Sequence, residues 1–458
     1  MSLRKLMVLS SLFGLAYSVQ AAEPVAMSQK VEQLARPLIE SEVVVGLSIA
    51  ILYDGKTEFL GLGHVTKALS DKPTPDTVYE IGSVTKVFTA LLLADMAKEG
   101  LVALDQPVRE LLPDDVRMAE ATGMPITLAD LAMHTSGLPR LPSNLEPADP
   151  TNPYSDYDEK RLYAYLKDQP LTRKATERVD YSNLGAGLLG HVLALKAATS
   201  YEQLVLDRIC RPLAMNDTRR VLDNHPLRGR LAPGHDADCR PAANWDLTAL
   251  AGAGGLRSTA RDMARFISAN LEPGSTSLTA ALAETHLPRH KLDGRAGRMA
   301  LGWHVAGDGS TRWHNGGTGG YHSLVAFDPA RKIAVVVLAN TASDRVDELG
   351  FAILRLLAGQ KVEQLKARKI ADVGPEILAR YVGEYELAPN FVITVTLDDA
   401  KLMAQATGQE KFRIYPDSES RFFYRVVDAQ VTFVTNDRGT VEKLILHQNG
   451  RDVPGKKR

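Results

Sequence analysis

Ser83 and Lys86 stand three residues apart at the head of an apolar run, and the pair could work as a nucleophile and its base. A serine hydroxyl is a weak nucleophile at neutral pH and needs a neighbour to take its proton. On a helix, residues i and i+3 share a face. From Val84 to Ala97 the chain is almost wholly apolar, as in a helix buried on most sides. A lysine in its first turn would be poorly solvated, and desolvation together with the positive end of the helix dipole favours the free amine. The same helix start could aim backbone N–H groups at an oxyanion forming on Ser83. The alternative is a serine helix cap beside a lysine that reaches the surface.

Two further segments carry suitable chemistry. Tyr181-Ser182-Asn183 leads into a second apolar helix, where a tyrosine could pass a proton to a leaving group and the Asn183 amide could hold a substrate carbonyl. Its bland counterpart is a packing tyrosine followed by a helix cap. The run Trp313-His314-Asn315-Gly316-Gly317-Thr318-Gly319-Gly320 precedes apolar strands. Its glycines let backbone approach a ligand closely, so a strand edge there could donate N–H groups to an acyl oxygen. A flexible turn is the other reading.

In this order, Ser-x-x-Lys (Ser83–Lys86), Tyr-x-Asn (Tyr181–Asn183) and His-x-Gly (His314–Gly316), the chain resembles the serine β-lactamases and penicillin-binding proteins. Within them it is similar to the class C branch and its D-peptidase and esterase relatives. The phrases HTSGL (134–138), PLAMNDT (212–218) and LAGAGGLRSTARDMARF (250–266) share the likeness, which covers roughly residues 28 to 360. The resemblance implies that Ser83 is acylated, that Lys86 is its base and that Tyr181 shuttles the proton and helps activate the deacylating water. It implies that Asn183 holds a substrate amide, and that the N–H groups of Ser83 and Gly317, beside Gly316, form the oxyanion hole. His314 would face the substrate carboxylate or its equivalent. Class C enzymes usually carry lysine there, and a largely neutral histidine weakens recognition of an anion unless another cation helps. Arg312, two residues earlier on the same strand, is the candidate.

Elements must bring these pieces together. Val43–Gly55 and Glu58–Val65 read as a buried hairpin around Asp54-Gly55, helical patterns fill the middle, and strands return near Gly302 and over 323–340. The expected fold class is therefore α+β: an antiparallel β-sheet flanked by helices with an all-helical region, as in β-lactamases and transpeptidases, plus a small all-β C-terminal domain. A proline-rich loop, 138–153, ends near Tyr154 and Tyr157, which could line the cleft or pack. The expected division is a signal peptide at 1–21, a catalytic domain at 22–360, a charged linker with a helical pattern at 361–372, and an accessory domain at 373–458. Alternation in FVITVTL, RFFYRV and VTFVTND carries the last of these. Its expected role is structural.

Arg4 and Lys5, the apolar stretch Leu6–Val19 and the small-residue site Val19-Gln20-Ala21 read as a removable export signal, hence a periplasmic or secreted enzyme. The remainder offers no membrane span, and a formal charge of −1 without a basic patch argues against nucleic acid. Cys210 and Cys239 are the only cysteines; they could pair in an oxidising compartment, which spacing alone leaves open. No metal motif and no cofactor signature is visible, and the serine is not in Gly-x-Ser-x-Gly. The expected partner is a small-molecule substrate: a β-lactam, an ester or a D-peptide. The leading expectation is a class C-like β-lactamase. An esterase or D-amino-acid peptidase would use the same residues, and a slowly deacylating penicillin-binding sensor or scaffold is the reading from another class. Oligomeric state is not legible.

Overall fold

Asp54 and Gly55 both take positive φ (48° and 70°), the geometry that closes a two-residue hairpin with the twist strands need. They join β1 (Gly46–Tyr53) to β2 (Lys56–Gly63). This computed structural model describes residues 26–458 apart from 67–70, 115, 117–122, 168–171, 174–178, 273, 275, 293–296, 366–369, 410, 426–428 and 449–450. The export segment expected at residues 1–21 lies outside the described residues.

The hairpin forms one edge of an eight-stranded antiparallel sheet, completed by β3 (His290–Lys291), β4 (Gly297–Met299), β5 (His304–Ala306), β6 (Arg312–Gly317), β7 (His322–Asp328) and β8 (Ile333–Ala339). The spatial order is β2-β1-β8-β7-β6-β5-β4-β3. Both faces of the central strands are covered, so β1, β7 and β8 read as near-continuous apolar runs rather than alternating ones. Leu47, Ile49, Ile51, Val335 and Val337 pack with α1 (Met27–Glu40) and the later helix Arg345–Leu357. Ala50, Leu52, Val336 and Leu338 face the helical region, including α2 (Thr85–Lys98). That region also contains α3 (Leu128–Met133), α4 (Asn183–Lys196) and α5 (Ala260–Leu271), and Arg345–Leu357 is α6.

Helix α6 ends at Leu357, and Gly359, at φ +73° just beyond its cap, stops it. The helical pattern expected for the linker does not continue it: residues 361–365 and 370–372 are irregular, and Leu365 is buried against the α1–α6 layer. Beyond the short helix Pro375–Leu378 come β9 (Gly383–Ala388), β10 (Phe391–Asp398), β11 (Lys401–Ala406), β12 (Lys411–Pro416), β13 (Arg421–Tyr424), β14 (Ala429–Thr435), β15 (Val441–Gln448) and β16 (Arg451–Lys457). Each pairs with the next, and Tyr385↔Lys457 closes the set into a barrel around Tyr385, Phe422 and Phe433. Closure leaves this small domain without a free sheet edge.

The barrel rests on the sheet-and-helix region through a short seam. Arg413 and Arg425 each lie 4.4 Å from the centre of the Tyr415 ring. Arg425, itself buried, reaches Ala237 O (3.5 Å) and Ser41 O (3.4 Å), while Ser343 Oγ donates to Arg425 O at 3.1 Å. Arg413 meets Asp238 at 3.5 Å. The contacted turn, 236–239, continues from His235, whose N–H donates to Gly320 O (3.0 Å), next to the β6–β7 turn. Cys239 gives its thiol proton to Glu42 O at 3.1 Å, and no disulfide joins it to Cys210. No helix among the described residues is long and apolar enough to cross a membrane.

Candidate active site

Ser83 sits in a one-turn 3-10 helix, Gly82–Val84, that runs into α2. The turn is held from several sides. Ile81 N–H donates to Leu256 O (3.0 Å), and Ser323 Oγ donates to Ile81 O (2.8 Å). Gly82 takes φ +49°, and a Cβ there would come within 2.9 Å of the Gly317 backbone. From the other side, a Cβ on Gly316 would lie 2.1 Å from Ile81 O and 2.7 Å from Ser83 N. Only glycine at the end of β6 lets the strand edge lie this close to the Ser83 backbone. The N–H groups of Ser83 and Gly317 thus belong to two segments in direct contact, the arrangement an oxyanion hole requires.

Ser83 does not cap the helix: the N-cap position is Val84, with no side-chain bond. Instead its Oγ is 2.9 Å from Lys86 Nζ. Lys86 is only 3% exposed, with Asn183 Oδ1 at 2.9 Å and Ala253 O at 2.6 Å. Burial, helped by the charge of Arg140, pushes its pKa well below the ordinary lysine value. A neutral amine fits three such neighbours: two hydrogens go to the carbonyl oxygens, and the lone pair faces the Ser83 hydroxyl. The ammonium would leave no acceptor for the serine proton.

Tyr181 lies beside this pair, with Lys86 Nζ 4.8 Å from its ring centre. Burial pushes its phenol up to about 12, opposed by contact with Ser83 and by Arg140. Asn183, the first residue of α4, is placed by Ser182, whose hydroxyl accepts from Gly185 N at 2.8 Å as the helix cap. The structure therefore brings Ser83, Lys86, Tyr181, Asn183, Gly316 and Gly317 together.

His314 and Arg312 depart from expectation. His314 is fully buried under Tyr181, their ring centres 6.3 Å apart, and does not reach a cleft surface where it could face a carboxylate. Burial and the nearby His304 and Lys86 hold it well below the ordinary histidine pKa, hence neutral. Its Nδ1 faces Asn315 O at 2.6 Å and must carry the proton, which leaves Nε2 as a bare acceptor. Arg312 gives its guanidinium to the carbonyls of Gly309, Ser310 and His286. It stands two strand residues, roughly 7 Å, back from His314.

Residues outside the three motifs complete the site. His134, at φ 60° where α3 ends, packs against Tyr181 with ring centres 4.4 Å apart and accepts from Ser182 N–H on Nδ1 (3.1 Å), so its Nε2 carries the hydrogen. The guanidinium of Arg140 lies 5.3 Å from the Tyr181 ring centre. Both fall in or just after the HTSGL phrase, which composition alone does not mark as chemical. Tyr154, which the sequence left between cleft and packing, is buried; its hydroxyl lies 3.5 Å from Asn183 Nδ2 and its ring 5.4 Å from Trp245. Tyr157 is fully buried and donates to Asn144 Oδ1 at 3.0 Å. Buried Glu80 anchors that wall: it accepts from Asn244 Nδ2 (2.9 Å) and Trp245 N–H (3.0 Å) and pairs with Arg257 at 3.2 Å. Among the described residues no group of three or more His, Cys, Asp or Glu is placed to hold a metal ion.

Comparison with known proteins gives the same frame. The family model described as Beta-lactamase matches residues 31–359, and a domain of unknown function, DUF3471, matches 367–457. The D-alanyl-D-alanine-carboxypeptidase/endopeptidase AmpH of Escherichia coli (strain K12) is 27% identical over 342 residues, covering 70% of this chain and 87% of that protein. A β-lactamase/D-alanine carboxypeptidase structure from Yersinia pestis superposes with a TM-score of 0.64 at 25% identity, covering 73% of this chain and 98% of the other. The octameric penicillin-binding protein homologue from Pyrococcus abyssi is alike in fold at 24% identity and TM-score 0.64, covering 94% of this chain and all (100%) of the other.

Proposed function

The chain belongs to the Beta-lactamase family of serine hydrolases, and from that premise we propose that it is a class C-like β-lactamase working through an acyl-enzyme on Ser83. Ser83 Oγ attacks the β-lactam carbonyl carbon as its proton passes to the Lys86 amine. The oxyanion is met by the N–H groups of Ser83 and Gly317. The C–N bond breaks, and the ring nitrogen takes a proton through Tyr181. Water then attacks the Ser83 ester, with the proton returned by the reverse route, and Asn183 holds the acyl-side amide throughout. The observation that carries this reading is Lys86 Nζ, buried and 2.9 Å from Ser83 Oγ, with two carbonyl oxygens left to take its hydrogens.

Cleavage of D-alanyl peptides is the second reading, favoured by the carboxypeptidase named among the relatives. Export to the periplasm or beyond, expected from residues 1–21, belongs to the proposal. The test is intact-mass spectrometry of the protein mixed with a penicillin, a cephalosporin or a D-alanyl-D-alanine peptide, beside Ser83→Ala. A transient adduct on Ser83 with loss of the drug supports the β-lactamase; a lasting adduct marks a stalled penicillin binder. Peptide trimming without drug turnover replaces the first reading by the second.

A further inference from the structure

The groups gathered around Ser83 are mostly held neutral. Burial works against charge on Lys86, on His134 and His314, and on a Tyr181 phenolate. Arg140 is the permanently charged group that touches them. It is solvent-exposed, and among the described residues its guanidinium makes no hydrogen bond or ion pair. Neighbouring arginines are engaged: Arg257 by Glu80 and Asp246, and Arg312 by backbone carbonyls. An arginine left open beside a site of buried, neutral groups offers its fork to an anion from outside.

Its place in the cleft is fixed by backbone. Arg140 O accepts from Asn183 N–H (2.9 Å) and Leu184 N–H (3.2 Å), which ties the residue to the head of α4. The oxyanion edge, in contrast, comes from the sheet through β6. The charge is therefore presented beside Asn183, on the helical side of the cleft.

We infer that Arg140 is a specificity residue that recognises a carboxylate on the acyl portion of the substrate, the portion held by Asn183. This rests on the acyl-serine chemistry proposed for the same site. The class of substrate is an acyl donor with an acidic side group, whatever leaving group it bears.

Two substrate pairs isolate that group. Benzylpenicillin and carboxybenzylpenicillin differ by one carboxylate on the acyl side chain; p-nitrophenyl butyrate and mono-p-nitrophenyl succinate differ likewise and share a leaving group. The wild type should favour the carboxylated member by about tenfold in kcat/KM, mostly through KM, as a single charge-assisted contact allows. In Arg140→Gln the ratio should fall to near one, Arg140→Lys should restore part of it, and added salt should shrink it. A wild type without the preference, or an Arg140→Gln variant that keeps it, overturns the inference. Calorimetry of phenylmalonate against phenylacetate on Ser83→Ala reads the same preference without chemistry. Absence of turnover by the wild type would count against the acyl-serine reading, while the binding ratio still decides for or against Arg140.

Discussion

In the proposed mechanism Lys86 takes the serine proton only when it is uncharged, so the pH at which it loses its own proton would set the acid side of the activity profile. The groups around that amine are Arg140 from the loop after α3, His134 at the end of α3, Tyr181 before α4 and His314 on β6. Burial is the main cause of its depressed pKa and Arg140 the second. Removing the second lets the pKa rise, and kcat/KM for an uncharged ester in Arg140→Gln should reach its plateau at higher pH than in the wild type. An unmoved acid limb would separate Arg140 from the base. Lys86→Ala should lose at least about 10³-fold in kcat/KM, because members of such a unit fail together. Lys86→Arg should not rescue it, since a guanidinium does not give up its proton. The order Ser83, Lys86, Tyr181, Asn183 was legible because each residue's chemistry is local to a short motif. Arg140 was not, because its importance comes from what the fold leaves unpaired around it. Arg312 misled for the complementary reason: strand period gives direction, but not which carbonyls a long side chain meets first.

At the scale of elements, β6 and the turn before α2 are joined by the absence of side chains. Gly316→Ala must push Ile81 O and Ser83 N away from the strand, since the new methyl would lie 2.1 Å and 2.7 Å from them. The expected cost is about 1–3 kcal/mol of stability from overpacking, with a loss of about 10²-fold in kcat from a disturbed oxyanion edge. At Gly317 the nearest atom to a new Cβ is His322 Nδ1 at 3.7 Å, so Gly317→Ala should stay within about 0.5 kcal/mol of the wild type. Urea unfolding and ester turnover of the two variants check this, and equal costs would refute the geometric account. The β1–β2 hairpin was readable because Asp-Gly prescribes its turn, and the barrel strands because they alternate. In the linker, residues 361–365 and 370–372 are not helical, and 366–369 lie outside the described residues: Gly359 follows the end of α6, and Leu365 is drawn into the α1–α6 layer. Local pattern lost to tertiary packing.

Across the whole molecule, the barrel and the catalytic region meet where Arg425 and Tyr415 press on the 236–239 turn, one strand away from Gly320. The sequence showed a second domain and its strands, but a seam made of backbone carbonyls, at Ala237 and Ser41, has no residue signature. The turn itself contains Cys239, 5% exposed, bonded to Glu42 O beneath the barrel. Cys210 is buried in the helical core, where burial pushes its thiol up to about 12. The two thiols are therefore clocks of different kinds. Cys239 can meet a thiol reagent each time the seam parts, and Cys210 waits for the catalytic core to open. Arg425→Met should speed labelling of Cys239 by about tenfold, the weight of roughly one lost charge-assisted contact, and leave Cys210 unlabelled over the same hours. Mass spectrometry of the labelled chain would then read how often the appended domain lifts off an otherwise folded enzyme.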